Sequence, residues 1–524
     1  MIYSYVYKMK YPIGIQNFPS LRRDGYVYVD KTGYIRKLVD SGRYYFLSRP
    51  RRFGKSLLLS TIEAYFRGER ELFHGLKISE RETEWETYPV FHLDLSGENY
   101  KDAATLYQGI NYFLDGVDRE FGIITSGEPT PSLRLKSAIR QVSEQRRKPV
   151  VVLIDEYDTP LTQTIDRPEL QEEFRAILKG FYGVLKSMDG NIKFAMLTGV
   201  TRFSKVSIFS DLNNLRDISF TPEYNAICGI SETELSQYFT ETTEEFAAQT
   251  GSTVAEIRRQ LRSNYDGYRF ADPAVTEGIY NPFSLLNALV TRSIGDYWFE
   301  TGTPTYLVSL LRMRDYRLAD LSHAEATQED LAGLDFTMGD VVPLMYQSGY
   351  LTIRAYDKDF RVYTLGFPNN EVENGFLRFL FPYYTSAAQG NTAFAIRRFI
   401  LDLNVGNVDG FMTRLQSLFA DFPYDQIRDI ELHYHNVLYL VFTLMGYYTR
   451  TEYRTSRGRA DLVVATSDTV YIFEFKLDRT PEEALEQINS RDYPLPFKTD
   501  GRRIVKIGVN FSTLTRNIDG WIAE

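Results

Sequence analysis

Tyr44-Tyr45-Phe46-Leu47-Ser48-Arg49-Pro50-Arg51-Arg52-Phe53-Gly54-Lys55-Ser56-Leu57-Leu58-Leu59 is the stretch that decides the fold. Residues 44–47 read as a short apolar strand. A basic turn follows and closes on Gly-Lys-Ser, and a helix then runs from about 55 to 66. Strand, loop and helix in that order are the setting of a Walker A phosphate loop. Gly54 lets the backbone approach phosphate oxygens, Lys55 would neutralise the β and γ charges, and Ser56 would hold Mg²⁺. The helix N-terminus adds its dipole. Arg49, Pro50, Arg51, Arg52, Phe53, Gly54, Lys55 and Ser56 are therefore the expected ATP-binding loop. The full pattern asks for glycine five residues before Gly54, and Arg49 stands there.

The second half of such a site is Val150-Val151-Val152-Leu153-Ile154-Asp155-Glu156, about 100 residues further on. An apolar strand ending in two acids is the Walker B arrangement. Asp155 would bind Mg²⁺ through water, and Glu156 would polarise the attacking water. Residues 192–197 form another apolar run, which ends in Thr198-Gly199-Val200-Thr201-Arg202. Thr198 is placed to sense the γ-phosphate. Arg202 reads as a sensor arginine, as a finger onto a neighbouring subunit, or as a surface arginine on a turn. Strand-like runs at 90–95, 149–154 and 192–197, with an edge strand at 217–220, alternate with helical stretches at 103–121 and 170–188. That alternation predicts an α/β fold with a parallel sheet.

At 524 residues the chain has the length of three or four domains of ~100–200 residues each. Hydrophobic residues make up 43% and charged residues 25%, so a largely disordered chain is excluded. The net charge of −9 argues against a uniformly basic nucleic-acid coat but leaves room for a local basic groove. The lone cysteine, Cys228, allows no intrachain disulfide and no cysteine zinc site, which fits a reducing compartment. Residues 1–10 carry no apolar signal core, and the longest apolar run, 437–448, is shorter than the ~20 residues a spanning helix needs. A cytoplasmic protein without membrane segments is expected.

The chain's far end carries a second constellation. Residues 457–464 read as a strand, Thr466-Ser467-Asp468-Thr469 as a turn, and Val470-Tyr471-Ile472-Phe473-Glu474-Phe475-Lys476 as the returning strand. A two-residue loop at Ser467-Asp468 sets Asp461 directly opposite Glu474. Two carboxylates ~5 Å apart repel, and a divalent cation between them removes the conflict. Lys476 falls on the same face as Glu474, where it could orient water or stabilise charge on a phosphate. An acid followed on the next strand by acid-x-Lys is the PD-(D/E)xK nuclease pattern. Mg²⁺ there, or Mn²⁺ in its place, would activate water and polarise the scissile phosphate. A helix over 429–446 offers Glu431 as a further metal-binding acid. Thr480-Pro481-Glu482-Glu483 predicts a capping box and a following helix, which carries Gln487 toward the site. A strand at 504–510 completes the core. Arg454, Arg457 and Arg459 flank the pair, either as phosphate grips or as solubilising charge. The simpler alternative for the whole segment is a solvent-facing hairpin with a cross-strand salt bridge.

Taken together, these residues resemble the predicted AAA-ATPase-like family, bacterial proteins common in gut Bacteroidetes that end in a PD-(D/E)xK nuclease-superfamily domain. The resemblance rests on Tyr28-Val29-Asp30-Lys31-Thr32, the Arg49–Ser56 loop, Ile154-Asp155-Glu156-Tyr157-Asp158, Thr198-Gly199-Val200-Thr201-Arg202 and Tyr265-Asp266-Gly267-Tyr268. At the far end it rests on Gly458-Arg459-Ala460-Asp461, Glu474-Phe475-Lys476 and Glu486-Gln487-Ile488. It spans nearly the whole chain and makes Arg49 a family trait. It implies a P-loop ATPase of the additional-strand class joined to a nuclease-like α/β domain.

The expected organisation is a P-loop ATPase core over 1–225, a helical lid over 226–290, a small adaptor over 291–385 with a winged-helix-like form as one reading, and the nuclease-like domain over 386–524. The expected function is an ATP-binding, ATP-regulated, Mg²⁺-dependent nuclease acting on nucleic acid, DNA before RNA. The alternatives are a non-cleaving ATP switch that uses the nuclease fold as a docking module, and an ATPase working on protein partners. Pairing of active sites across subunits in this class of ATPase makes a homo-oligomer one expected state.

Overall fold

The structure, a computed structural model, describes residues 10–202, 214–299, 305–333, 341–385, 391–420, 429–446, 448–455, 458–499 and 501–524. The chain divides into two compact units. One comprises Met1–Thr303 with Ser322–Val372, the other Pro304–Leu321 with Glu373–Glu524.

The first unit is built on a five-stranded sheet of β1 (Tyr44–Ser48), β2 (Val90–Asp94), β3 (Val150–Asp155), β4 (Ile192–Gly199) and β5 (Arg216–Asp217), in the order β2-β3-β4-β1-β5. All its pairings are parallel. β3 is buried at every position, as a run of Val, Leu and Ile covered on both faces requires. β4 lies between the Walker A and Walker B strands, so it is the additional strand of this P-loop class. Its register sets Thr198 beside Leu47 of β1 and Leu197 beside Ile154 of β3. The C-terminal ends of β1, β3 and β4 therefore open at one edge, where open α/β sheets hold their ligands.

Helices Ala103–Phe121, Pro131–Arg146 and Pro168–Ser187 pack their apolar stripes on the sheet in one cluster with Phe46, Val152, Ile154 and Leu197. Each such buried Leu, Ile or Phe contributes roughly 1.5–3 kcal/mol. The middle helix was not anticipated. Its apolar stripe is thin and one of its inward residues is Arg134, held by Asp115 and Asp118. Its start was marked all the same, by Thr130 as N-cap and Pro131 in the first turn.

Beyond the sheet, β6 (Ile230–Ser231) pairs antiparallel with β7 (Ile279–Tyr280). Helices Glu232–Tyr238, Thr240–Thr250, Val254–Tyr265 and Pro282–Thr291 surround that pair with a core of their own. Capping boxes at Ser231/Glu234 and Thr253/Glu256 start two of these helices. β8 (Ala324–Thr327), β9 (Thr352–Asp357) and β10 (Val362–Gly366) form a small antiparallel sheet in the order β8-β10-β9.

The second unit carries β11 (Tyr448–Thr455), β12 (Gly458–Ala465), β13 (Thr469–Leu477), β14 (Arg503–Ser512) and β15 (Asn517–Ala523), hydrogen-bonded in sequence order. Only the β13–β14 pairing is parallel, and helix Pro481–Ser490 makes the crossover. The sequence reading anticipated the hairpin and one later strand; β11 and β15 widen the sheet on both sides. Among the described residues, no helix is long and apolar enough to cross a membrane.

Candidate functional site

A cavity of about 500 Å³ opens at the sheet's C-terminal edge. The phosphate loop and first helical turn form one wall, with Arg51, Arg52, Phe53, Gly54, Lys55 and Ser56 all lining it. Gly54 sits at φ 96°, a left-handed conformation that a side chain would strain, and helix Lys55–Phe66 begins at the next residue. Lys55 is 3% exposed. Its Nζ donates to the carbonyls of Arg49 (3.1 Å) and Pro50 (3.3 Å) and lies 3.4 Å from the Glu156 carboxylate. The loop thus curls round its own lysine and holds it beside the acid at the end of β3.

Part of the cavity wall is apolar. Ile13, Val27, Val29, Ile230, Phe283 and Leu286 line it, drawn from the N-terminal arm and the helical segment after the sheet. The arm's place here was not foreseen, although residues 28–32 stood out as a motif. Lys31 shows why the motif matters. Its Nζ is paired with both oxygens of Glu234 at 2.7 Å and donates to the Ala226 carbonyl, fastening the arm to the helical segment. Burial pulls this ammonium below the usual lysine range, against the raising effect of Glu234.

Asp155 is buried at the end of β3. Its Oδ1 accepts from the Thr198 hydroxyl (2.5 Å) and the Glu156 amide (3.0 Å). Glu156 lines the cavity in a left-handed backbone conformation, φ 51°, of the strained kind that clusters at functional sites. Thr198 therefore meets Asp155 directly. Sequence reasoning missed Asp158. Its carboxylate accepts from the amides of Val200 (3.3 Å) and Thr201 (2.6 Å) and from the Thr201 hydroxyl (2.5 Å), tying the end of β3 to the end of β4. Burial, then the charge of Glu156, pushes it up to about 6.

Arg49, Pro50, Asp155, Thr198 and Arg202 are absent from the cavity wall. Arg49 is 1% exposed, and its guanidinium donates to the carbonyls of Ser48, Ser219 and Tyr224. Its side chain is directed into protein, away from the expected phosphate site. Arg202 is paired with Asp217 at 2.6 Å.

In the second unit, the β12–β13 hairpin has the register that a Ser467-Asp468 loop requires, with Leu462 opposite Phe473 and Ala465 opposite Val470. The turn closes through Thr466 N–H to the Thr469 carbonyl (2.8 Å). One residue beyond Leu462–Phe473 stand Asp461 and Glu474, and Asp461 Oδ2 accepts the Phe475 amide (2.9 Å). Glu474 is 2% exposed. Its Oε1 accepts from Lys476 Nζ (3.0 Å) and from the Gln487 amide, and Gln487 Oε1 accepts from the same Lys476 Nζ (2.6 Å). Gln487 is in turn fixed by the Tyr493 hydroxyl (3.2 Å), a partner not anticipated. Glu474 Oε2 is buried with no hydrogen-bond partner among the described residues. Burial, then the charge of Asp461, pushes Glu474 up to about 7. An orphaned carboxylate oxygen beside a second carboxylate fits a divalent cation.

Helix Pro481–Ser490 brings Gln487 to this cluster. Thr480 caps it by accepting the Glu483 amide, while the Glu483 carboxylate pairs with Arg479 instead of completing the box. Glu431 is not brought to the pair. It opens helix Ile430–Leu444 with its side chain 67% exposed, 3.8 Å from His435. That helix stacks Tyr434 on Phe511 and packs Phe442 at a tilt against Phe473, on the sheet face opposite Glu474. Arg457 lies outside the described residues, as do the side chains of Arg454 and Arg459.

Residues 12–209 match the family model of the predicted AAA-ATPases, and residues 429–521 match that of the PD-(D/E)XK nuclease superfamily. An Azotobacter chroococcum mcd 1 protein, described as an uncharacterized protein in the vnfD 5' region, is 37% identical over 532 residues, 99% of each chain. The chain belongs to the predicted AAA-ATPase family and carries a PD-(D/E)XK nuclease-superfamily domain toward its C-terminal end. Among solved structures, the ORC2 protein of Aeropyrum pernix, in ADPNP-ADP complexes, shares 12% identity at a TM-score of 0.25, covering 66% of this chain and 91% of that one. Cdc6p of Pyrobaculum aerophilum shares 8% at 0.24, covering 70% and 95%. At such scores the fold rests on the strand order and the family matches instead.

Proposed function

We propose that the protein is an ATP-binding, ATP-regulated, Mg²⁺-dependent nuclease that cleaves phosphodiester bonds in DNA. The observation that carries the nuclease half is the buried Glu474 carboxylate, with one oxygen held by Lys476 and Gln487 and the other unpartnered next to Asp461. A chain that needed only a stable hairpin would gain from an apolar residue there, because a buried carboxylate oxygen left without a hydrogen bond is costly.

Asp461 and Glu474 would hold the divalent cation, which when bound supplies Lewis acidity to the scissile phosphate and acidity to water. Lys476 stands 3.0 Å from Glu474, placed to offset charge gathering on the phosphate. Gln487 fixes Lys476 and Glu474 relative to each other. In the first unit, Lys55 and the loop amides would receive the β- and γ-phosphates, Ser56 and Asp155 would hold Mg²⁺, and Glu156 would orient the attacking water. Thr198, bonded to Asp155, carries the state of that centre into β4. The apolar part of the cavity wall would take the base. The lone cysteine fits a cytoplasmic setting, and the finer division into lid and adaptor belongs to the same proposal.

The test is to incubate the full chain with linear DNA, circular DNA and RNA, with Mg²⁺ or Mn²⁺, with and without ATP. Metal-dependent cutting that is lost in Glu474→Ala and in Lys476→Ala supports the nuclease. An absence of cutting on every substrate, with nucleotide-dependent retention of a partner, overturns it in favour of a non-cleaving switch.

A further inference from the structure

Six residues separate β1 from helix Lys55–Phe66, and one of them, Gly54, is glycine. A glycine-rich loop can curl its amides round a phosphate without steric cost. A loop of Arg-Pro-Arg-Arg-Phe, with Arg52 at φ 66°, needs to be held in that shape from outside.

It is held at almost every position. Phe53 is buried, with its ring edge-on to Tyr268 (4.8 Å between centroids) and to Phe270 (5.6 Å). Its carbonyl accepts the Gly229 amide at 3.1 Å. Arg49 lies over the Phe270 ring at 3.9 Å while its guanidinium takes the three carbonyls already described. The Arg51 carbonyl accepts the indole N–H of Trp298 at 3.1 Å. Pro50 packs on Gly349, where any side chain would crowd the proline and come into contact with the Trp298 ring. The Tyr265-Asp266-Gly267-Tyr268 motif explains how Tyr268 gets there. Gly267 turns at φ 102° against the Pro368 carbonyl, leaving no room for a Cβ, and the chain then throws Tyr268 onto Phe53.

We infer that Tyr268, Phe270 and Trp298 form a brace that presets the phosphate loop, so that Tyr268 and Trp298 are positioning residues for the nucleotide's phosphates. This rests on the nucleotide reading of the cavity. The brace replaces the freedom of glycine with preorganisation: the loop is ordered when the chain folds, and binding does not have to order it again. It also fixes the backbone from which Arg51 and Arg52 reach the cavity wall. None of the three aromatic residues need touch the nucleotide.

Titration calorimetry on the full chain with MgATP and with AMP tests it, because the brace acts on the end of the site that AMP leaves empty. Trp298→Phe keeps a ring against Tyr350 but removes the donor to Arg51; Tyr268→Leu removes the ring under Phe53. Each is expected to weaken MgATP about tenfold, near 1.4 kcal/mol, while AMP affinity moves less than twofold. Tyr268→Phe should bind like the natural chain. MgATP affinity unchanged in both weakening variants, or an equal loss for MgATP and AMP, overturns the brace. If Tyr268→Leu fails to fold, Trp298→Phe decides alone. A natural chain that does not bind MgATP, or a Lys55→Ala variant that binds it undiminished, defeats the nucleotide reading itself and the brace with it.

Discussion

Asp158, two residues past Glu156, ties that turn to Thr201 just beyond β4, yet nothing in Asp-Glu-Tyr-Asp marks its last acid as different from its first. Asp155 and Glu156 were legible because an apolar strand ending in acids has a known use. Asp158 acquires its role only when the chain returns with β4, more than forty residues later. The same distinction separates Arg49 from Lys55: both are basic residues in one loop, but tertiary carbonyls from Ser219 and Tyr224 claim the arginine. Asp158 also carries a pH signature. Its carboxyl titrates near 6 in the folded chain, above the ordinary ~3.9 of an unfolded aspartate. Between those values the folded state holds the extra proton, so its contribution is favourable at low pH and is lost as pH rises through about 6. Asp158→Asn has no such group. The melting temperature of the natural chain minus that of the variant should therefore fall between about pH 4 and about pH 6, the interval spanned by the two titrations. A difference that stays flat or grows across that interval would show that the carboxyl is not held up by its surroundings.

At the scale of elements, the hairpin was the most legible part of the second unit. A two-residue loop leaves one register, and that register alone puts two acids side by side. β11 and β15 were not legible in the same way, since edge strands with mixed polar faces carry a weaker alternation than buried ones. The fit of helix Pro481–Ser490 onto β14 was invisible altogether, because it depends on Gly508. A Cβ at that position would overlap the Pro481 carbonyl and crowd the Leu485 amide. Gly508 stands beside Glu474 in the β13–β14 ladder, so the helix comes closest where Gln487 must reach the carboxylate. Gly508→Ala should push the helix outward. We expect a stability loss of about 1–3 kcal/mol by chemical denaturation, together with a fall in cutting beyond that seen for a surface variant such as Glu482→Gln. Stability and cutting both at the natural level would mean the helix is not seated by that glycine.

At the scale of the whole molecule, the sequence divides by order along the chain, whereas the compact units gather segments from separate places, with 304–321 packing among residues from 373 onward. A reading that moves from one residue to the next has no means of seeing such an excursion, since no composition change marks where it starts or ends. Each unit has its own hydrophobic core and its own candidate chemistry: phosphate binding in one, paired carboxylates in the other. Two independent candidate sites on one chain would need no common polypeptide unless one governs the other. That is the basis for expecting ATP to set the cutting rate, since a nucleotide can shift a conformational equilibrium only through a difference in its affinity for the two states. The readout is the ratio of cutting rates with and without ATP at fixed Mg²⁺. In the natural chain this ratio should depart from one by several-fold, the size of an ordinary coupling energy of ~1–3 kcal/mol. Lys55→Ala, which removes the cation proposed to neutralise the phosphates, should return it to one. Glu156→Gln, which removes the carboxylate proposed to orient the attacking water, should hold the ratio at its ATP-bound value long after it has decayed in the natural chain. A ratio of one in all three proteins would mean that the two units work independently, and that ATP serves some purpose other than control of the carboxylate pair.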